Sequence, residues 1–542
     1  MPKQIVLLSG NISSGKSTLC SLLREEFGFR VLKTKEVIAS LARKTLRKEI
    51  DPERRAMQAF GERLDKETHG HWVQEALTKF LRDLGAAEPE ARVIVDAVRI
   101  LDQIRAIRQA YSYAVVHIHL KAPEEELKRR YRNRRVPGFR ELRSFSEAEK
   151  NKTERRVNEL EDAADFVIDT GLSTERGVLV RAATHLGLYS RNYDRCVDVI
   201  VGGQYGSEGK GHIVSYLAPE YSVLVRVGGP NAGHKVFSEP TPYTHHQLPS
   251  GTSRNATARL ILAPGCVLNA EHLMKEISEC AVDTDRLAID PQAMIISDAD
   301  IRGESGLVKS IGSTGQGVGF ATARRIKERG GAVRLARDIK DLRPFIKESW
   351  VLLEEAYRKE EKILVEGTQG AGLSIYHGSY PHVTSRDTSV AGCLSESGIS
   401  PSRVRRVIMV CRTYPIRVES PKGATSGPMD REIDWKVISE RSGIPLQQLQ
   451  KTERTSTTDR RRRVSEFDWA LLRRAAALSG PSDIALTFVD YLKAQNEKAR
   501  RFEQLDVQTI RFIEEIQRVA AAPVSLISTR FDFRSIIDRR AW

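Results

Sequence analysis

Short apolar runs that end in glycine recur along the chain. Residues 4–9, QIVLLS, read as a short buried strand that closes on Gly10. Leu19, Leu22, Leu23 and Phe27 then repeat at helical spacing. A second apolar run, ARVIVDAVR, predicts a strand over 92–95 with Asp96 at its carboxyl end, and AVVHIHL at 114–120 predicts another. Pro123 opens a helix with an acidic first turn. Its end is basic, with Lys128, Arg129, Arg130, Arg132, Arg134 and Arg135 ahead of Val136-Pro137-Gly138. At 196–203, CVDVIVGG starts afresh as a buried strand running into glycine. Two such starts predict two α/β units. The short polar stretch GLYSRNYDR at 187–195 places the boundary, giving domains 1–188 and 194–542.

Composition narrows the classes. The chain has 542 residues, 40% hydrophobic and 29% charged, enough apolar material for a packed core. No apolar run approaches the ~18 residues of a membrane span. The first residues, MPKQIVLLSGNISSGKST, carry no secretory cleavage pattern and read as part of the fold. Six scattered cysteines without a C-x-x-C argue against a disulfide framework or zinc site, and a reducing cytoplasm fits. The formal charge of +15 leaves nucleic acid or small phosphorylated molecules as partners. It is shared evenly between the two units. No zinc finger, aromatic RNA-binding motif or basic tail supports nucleic acid.

The first unit opens on Gly10-Asn11-Ile12-Ser13-Ser14-Gly15-Lys16-Ser17, a full G-x-x-x-x-G-K-[ST] match between a strand and a helix. Backbone N–H groups of such a loop wrap phosphate oxygens, helped by the helix N-terminus. Gly10, Gly15, Lys16, Ser17 and Thr18 are therefore candidate phosphate ligands. Lys16 neutralises the β/γ phosphates and Ser17 ligates Mg²⁺. Asp96 suits a Mg²⁺-water ligand or a substrate contact, with a helix cap as the plain alternative. The arginines of 129–135 suit charge neutralisation in phosphoryl transfer, or a solvated helix face. This order resembles the small P-loop kinases of the nucleoside-monophosphate and dephospho-coenzyme A kinase type over about 1–186. Arg63, in GERLDKE, is then a candidate for the acceptor phosphate.

The second unit carries five glycine-polar segments. They are YGSEGKG at 205–211, VRVGGPNAGHKV at 225–236, IGSTGQGVG at 311–319, VEGTQGAGLSIYHGSYPHVTS at 365–385, and RTSTTDRRRR at 454–463. In this order they resemble the adenylosuccinate synthetase family, over about 196–542. The resemblance implies an α/β fold and a ligase that condenses a 6-oxopurine nucleotide with L-aspartate. A nucleoside triphosphate first phosphorylates the purine O6, and the aspartate amine then displaces that phosphate. It also implies site residues. His234 is the acid near O6, with Gln369 beside the purine. Gly206, Glu208, Gly209, Lys210 and Gly211 hold the donor phosphates. Asn231, Thr314, Gln369 and Thr384 bind the purine nucleotide. Thr457, Thr458, Arg460 and Arg462 grip aspartate, whose two carboxylates suit paired arginines. Ser207 and Gly233 stand at Mg²⁺ positions. The family's homodimer lends an arginine across its interface, and Arg329 lies in the corresponding stretch. His377 matches a family motif with a structural role.

Two departures sharpen the reading. The family's first loop carries Asp where this chain has Ser207, and that Asp takes the purine N1 proton. A serine hydroxyl is a far poorer base. The PurZ-like 2-aminoadenylosuccinate synthetases share the change and act on dGMP, whose 2-amine sits beside N1 where a small serine leaves room. The donor-base segments also differ, appearing as Thr487-Phe488-Val489-Asp490 and Ser528-Thr529-Arg530-Phe531. Asp490 is kept while the usual lysine and Gly-Pro turn are gone, which points to ATP or dATP ahead of GTP. Phe488 and Phe531 are open to base stacking or to core packing. The expected protein is a bifunctional cytoplasmic homodimer that joins L-aspartate to dGMP and phosphorylates a nucleoside monophosphate. IMP or dIMP as substrate, or a nucleotide-sensing defence role, are the alternatives.

Overall fold

β1 (Gln4–Gly10) buries Ile5, Val6, Leu7 and Leu8 completely. A strand apolar at every position needs cover on both faces, so it sits inside a parallel sheet. A computed structural model of the chain describes residues 4–47, 53–85, 91–133, 141–190, 194–238, 241–331, 333–455 and 459–542. These separate into two compact units, Met1–Tyr189 and Ser190–Trp542.

In the first unit β1 pairs in parallel with β3 (Arg92–Val95) and β4 (Val115–Lys121). β2 (Arg30–Leu32) and β5 (Phe166–Asp169) complete the order β2-β3-β1-β4-β5. The period-2 alternation of β1 sorts its side chains. Ile5 and Leu7 pack with Trp72, Leu77 and Ile104, while Val6 and Leu8 pack with Leu19, Leu23 and Leu179. Each such side chain contributes roughly 1.5–3 kcal/mol by burial. The helix α1 (Lys16–Phe27) leaves the loop after β1, entered through Gly15 and closed by Gly28, both left-handed. Gly10 is required: at φ 131° a Cβ would fall on the Leu120 carbonyl oxygen.

The second unit is built on a nine-stranded sheet among the described residues. Its order is Leu287–Ile289, Arg259–Leu262, Val223–Arg226, Ile363–Glu366, Val197–Gly202, Val404–Arg412, Asp483–Thr487, Val524–Ser528, Ile536–Asp538. All pairs are parallel except the last. Parallel pairing puts the carboxyl ends of the inner strands along one edge, where α/β sheets bind ligands. In register, Glu366 stands beside both Arg226 and Ile200. A small antiparallel sheet of Ile416–Val418, Arg462–Ser465 and Glu432–Ile433 supplies further arginines. Among the described residues no helix is long and apolar enough to cross a membrane.

Candidate functional site

Each unit holds a cavity at a glycine loop. In the first unit a cavity of about 1150 Å³ is lined by Gly15, Lys16, Ser17 and Thr18 on the phosphate-loop side. Lys16 Nζ donates to the Gly10 and Asn11 carbonyls at 2.7 and 2.8 Å. Gly10 is not part of the lining. Asp96 lines the cavity and accepts from both Thr34 N and Thr34 Oγ1 at 2.8 Å. Burial raises its carboxyl above the ordinary value. The helix that follows it, Leu101–Tyr111, is capped at Ile100, so Asp96 is not its cap.

Lys128 pairs with Glu124 and Glu125, and Arg129 and Arg130 with Glu126, all acids of their own helix. Arg129 and Arg130 still line the cavity, and Arg130 also donates to Thr170 Oγ1 at 2.9 Å. Arg134 and Arg135, with Val136-Pro137-Gly138, lie outside the described residues. Arg63 is a correction. It is half exposed, pairs with Glu67 at 2.7 Å and is not part of the cavity lining. The face of its helix that lines the cavity carries Arg54, Gln58, Glu62 and Asp65, spaced at helical period. Asp65 Oδ1 accepts from Trp72 Nε1 and Gln103 Nε2 at 2.7 and 2.8 Å. None of these four stood out in the sequence, because helix 54–68 is charged on several faces.

In the second unit a cavity of about 260 Å³ gathers residues from loops far apart in sequence. Gly206 and Ser207 come from the loop after Val197–Gly202, and Asn231, Gly233 and His234 from the loop after Val223–Arg226. Thr314, Gln369, Thr384, Arg460 and Arg462 complete it. Ser207 is exposed into it. Gln369 holds φ 59°, a left-handed conformation costing about 1–3 kcal/mol, and its Nε2 donates to Thr384 Oγ1 at 3.0 Å. Asn231 Oδ1 and His234 Nε2 are buried with no partner among the described residues. Thr457 and Thr458 lie outside the described residues.

Arg460 and Arg462 face the cavity because alternate residues of an extended chain share a side. Arg463 is turned away, held by Glu432, Ser426 and Gly427. Arg462 and Arg412 both pair with Glu453, at 2.9 and 3.0 Å. Burial alone would lift the Glu453 carboxyl, but the two arginines hold it at about 2.

The remaining loop residues work beneath the cavity. Glu208 Oε1 accepts from Gln204 N and Gly206 N at 3.0 and 2.8 Å, and Lys210 Nζ reaches Glu208 Oε2 at 2.6 Å. The pair is almost wholly buried. Glu208 thus braces the loop instead of facing a ligand, and a Cβ on Gly370 would collide with it. Gly209 starts the helix Lys210–Leu217 in the left-handed region, and a Cβ on Gly211 would strike His234 Cβ. Glu208, Gly209, Lys210, Gly211 and Asp490 do not line this cavity.

Around the donor-base segments, Phe488 packs under the Arg412 guanidinium at 4.1 Å and Phe531 against His212 at 5.2 Å. Burial pushes the Asp490 carboxyl up to about 7, and its Oδ1 is unpartnered. Arg329 is exposed, its Nε donating to Ile326 O at 3.1 Å, and His377 is outside the cavity lining.

Sequence reasoning missed Arg417, Arg226 and Glu366. Arg417 lines the cavity and stacks on Tyr205 at 4.2 Å, and its Nε and Nη2 have no partner among the described residues. Arg226 and Glu366 lie directly behind His234. Glu366 Oε1 is 2.5 Å from His234 Nδ1 and from Arg226 Nη1. Burial and Arg226 lower His234 to about 3. Burial alone would raise Glu366, yet Arg226 and His234 hold it at about 2.

Glycine loops at the carboxyl ends of parallel strands, each leading into a helix N-terminus, define the class: α/β phosphate-binding proteins of nucleotide chemistry. Residues 199–341 and 332–497 match the adenylosuccinate synthetase family model, and the chain belongs to that family. Residues 6–152, which hold the first phosphate loop, match a family described as an AAA domain. The adenylosuccinate synthetase of Methanococcus aeolicus is 35% identical over 350 residues, 63% of this chain and 99% of that protein. That of Thermococcus sibiricus is 37% identical over 353 residues, covering 63% and 98%. Among solved structures, cyanophage S-2L succinoaminodeoxyadenylate synthetase (PurZ), bound to dGMP and to dATP as energy donor, superposes with TM-score 0.54 at 26% identity. The match covers 64% of this chain and 96% of that one. Fully ligated Plasmodium falciparum adenylosuccinate synthetase shares the fold, with TM-score 0.56 at 21% identity over 64% and 100%.

Proposed function

We propose that the second unit joins L-aspartate to dGMP at the expense of ATP or dATP, and that the first unit phosphorylates a nucleoside monophosphate. The observation that carries this is Ser207, a small hydroxyl exposed into the same cavity as Asn231, His234 and Gln369. A guanine 2-amine beside N1 finds room and a hydrogen-bond partner there, where a longer carboxylate would crowd it. The dGMP and dATP of the cyanophage protein support the same pair of nucleotides here.

The roles follow from the geometry. Loop amides and the helix N-terminus at Lys210 hold the donor phosphates. Lys210 exchanges its bond to the Gly206 carbonyl for a phosphate oxygen. Gln369, strained and anchored on Thr384, positions the purine 6-edge against His234. O6 attacks the terminal phosphoryl, forming an O6–P bond as the donor P–O bond breaks and the N1 proton is lost to water. Arg460 and Arg462 hold the aspartate carboxylates while its amine displaces the phosphate at C6. Mg²⁺ supplies charge neutralisation for phosphoryl transfer when bound. The oxygen donors present suit it: Ser17 and Asp96 in the first unit, the Ser207 hydroxyl and the Gly233 carbonyl in the second. With no carboxylate at 207, the phosphates themselves supply most of the negative charge around that ion. Arg329, exposed at the end of its helix, is the residue we assign to reach a partner subunit in a homodimer.

The test is direct. The protein is incubated with dGMP, L-aspartate and ATP, and the products are weighed by mass spectrometry. An aspartate adduct of dGMP is expected. An adduct formed with IMP alone makes the chain an ordinary adenylosuccinate synthetase, and no adduct with either removes the ligase reading.

A further inference from the structure

At about 1150 Å³ the cavity of the first unit exceeds the range of about 300–1000 Å³ usual for a single ligand. It has room for an acceptor beside a donor held by the Lys16 loop. Part of its wall is the helix Arg54–Thr68. Gln58, Glu62 and Asp65 line the cavity at i, i+4 and i+7, one stripe of that helix. Met57, Gly61 and Trp72, with Ile38 of the helix Thr34–Leu46, give the same lining an apolar part for a flat ring to lie on. Gly61 lets the two helices close up, since a Cβ there would stand 3.4 Å from Ile38 Cδ1.

Neighbours orient the polar members of the stripe. Asp65 Oδ1 accepts from Trp72 Nε1 and Gln103 Nε2 at 2.7 and 2.8 Å. Gln103 is itself fixed, its Oε1 accepting from Arg99 N at 2.8 Å. Asp65 Oδ2 has no partner among the described residues and is left as an acceptor on the cavity wall. Glu62 Oε1 accepts from Asn151 Nδ2 at 2.8 Å. Gln58 Nε2 stands 3.5 Å from Glu154 Oε1, too long for a strong bond, so its amide is available to donate elsewhere. The arginines of this wall are already neutralised, Arg54 by Glu141 and Arg99 by Glu154. The carboxylates of the stripe therefore keep their acceptor character. Gln58 and Glu62 carry two methylenes each, enough to converge on one ring edge from adjacent turns.

In helical order the stripe offers a donor and then two acceptors. Guanine presents the complement along its pairing edge: the O6 acceptor, the N1–H donor and the 2-amine donor. Adenine, cytosine and 2-aminoadenine each set a ring-nitrogen lone pair against the central carboxylate, and thymine sets a carbonyl against an outer one. A carboxylate cannot donate to any of these. We propose that this stripe is the acceptor-base subsite of the first unit and that it selects guanine, with Gln58 on O6, Glu62 on N1–H and Asp65 on the 2-amine. Trp72 and Gln103 are positioning residues for Asp65. This rests on the reading of the first unit as a nucleoside monophosphate kinase and names its acceptor. A phosphate oxygen of the guanine nucleotide attacks the terminal phosphorus of ATP. The new P–O bond forms as the bond to the bridging oxygen breaks, leaving two diphosphates. Both units then draw on one nucleotide, the first at its phosphate and the second at C6. The ligase product, whose N1 is a lone pair, is refused by the first unit.

The full chain is given ATP without L-aspartate, so that ligation is idle, and diphosphates are followed by chromatography against authentic standards. The acceptors compared are dGMP, GMP, dAMP, dCMP, dTMP and the 2-aminoadenine deoxynucleoside monophosphate. We expect kcat/KM for dGMP and GMP to exceed that of each of the others by at least about tenfold, the cost of one mismatched buried bond. Glu62→Gln, checked for folding by circular dichroism, should cut the dGMP-to-dAMP ratio by about tenfold, chiefly through KM for dGMP. A purely structural Glu62 would lower both nucleotides alike. An unchanged ratio in the folded variant overturns the proposal and leaves the kinase reading standing. So does a better acceptor among the other four, or a preference for GMP over dGMP with no discrimination among bases, which would put the carboxylates on the ribose hydroxyls. If Glu62→Gln does not fold, the wild-type ranking decides. If no monophosphate yields a diphosphate, the kinase reading falls and the proposal falls with it.

Discussion

The two phosphate loops of this chain solve the same problem with opposite internal wiring. Both leave a parallel strand, turn through left-handed glycines and end on a lysine at a helix start. In the first unit that lysine, Lys16, rests on backbone carbonyls of its own loop. In the second, Lys210 also rests on a loop carbonyl, that of Gly206, but is locked to Glu208 as well, whose other oxygen ties two loop amides. A lysine on carbonyls is easily drawn away by phosphate. A buried ion pair resists separation, because each charge left alone is costly. The second loop is therefore held in shape before a ligand arrives.

Removing the brace tests this contrast most severely. Glu208→Ala leaves Lys210 buried without its carboxylate and releases the Gln204 and Gly206 amides. The second unit should lose about 3–5 kcal/mol, the usual cost of breaking a buried pair from one side. Calorimetric unfolding should show one transition moving down while the other stays. A uniform shift of both would break the comparison. Lys16→Ala should act on chemistry instead. We expect phosphoryl transfer from ATP by the first unit to fall by about 10²–10³-fold, as for a lost transition-state cation or donor, with little change in melting. If ligation falls with it, the two units are coupled in a way their separate cores do not suggest.

Much of this was legible. Strands closing on glycine marked both loops, and the family resemblance singled out Arg460 and Arg462, both of which line the cavity. Charged residues ending apolar runs were also in view: Arg226 in VLVR, Glu366 in ILVE, Arg412 in VIMVCR. What could not be read is that the first two pair. They are 140 residues apart, and only the strand order places them side by side. Arg63 failed for a related reason. A motif match says which residues are present, while helical phase decides which face the cavity, and Arg63 falls outside the Arg54–Gln58–Glu62–Asp65 stripe.

Buried charge also gives the second unit a pH signature. Asp490 is raised from its ordinary 3.8 to about 7 by burial, with Glu497 and Glu453 adding to it. Between about 4 and about 7 the folded state keeps a proton that the unfolded state has released. Folding is thus favoured fully below about 4, and the advantage is lost as pH rises to about 7. Asp490→Asn should flatten this slope and raise stability at pH 8 by up to about 4 kcal/mol. Urea titrations at several pH values measure it, and a parallel slope in both proteins would show that Asp490 is ionised throughout.

The smallest expected effect bears on the loop tip itself. Because the brace of the second loop is Glu208, the neighbouring side chain at 207 carries no structural duty among the described residues, where its backbone carbonyl is engaged by Arg412 Nη1 at 3.3 Å. Position 207 can therefore change chemistry without disturbing the loop. Ser207→Asp should fold as the parent does and place a carboxylate against the purine. It adds a base for N1 but crowds a 2-amine, so the gain goes to IMP and the loss to dGMP. We expect the ratio of kcat/KM for dGMP over IMP to fall by about tenfold, some 1.4 kcal/mol. A fall in both substrates together would mean that 207 shapes the loop after all, and that the second loop is no more preorganised than the first.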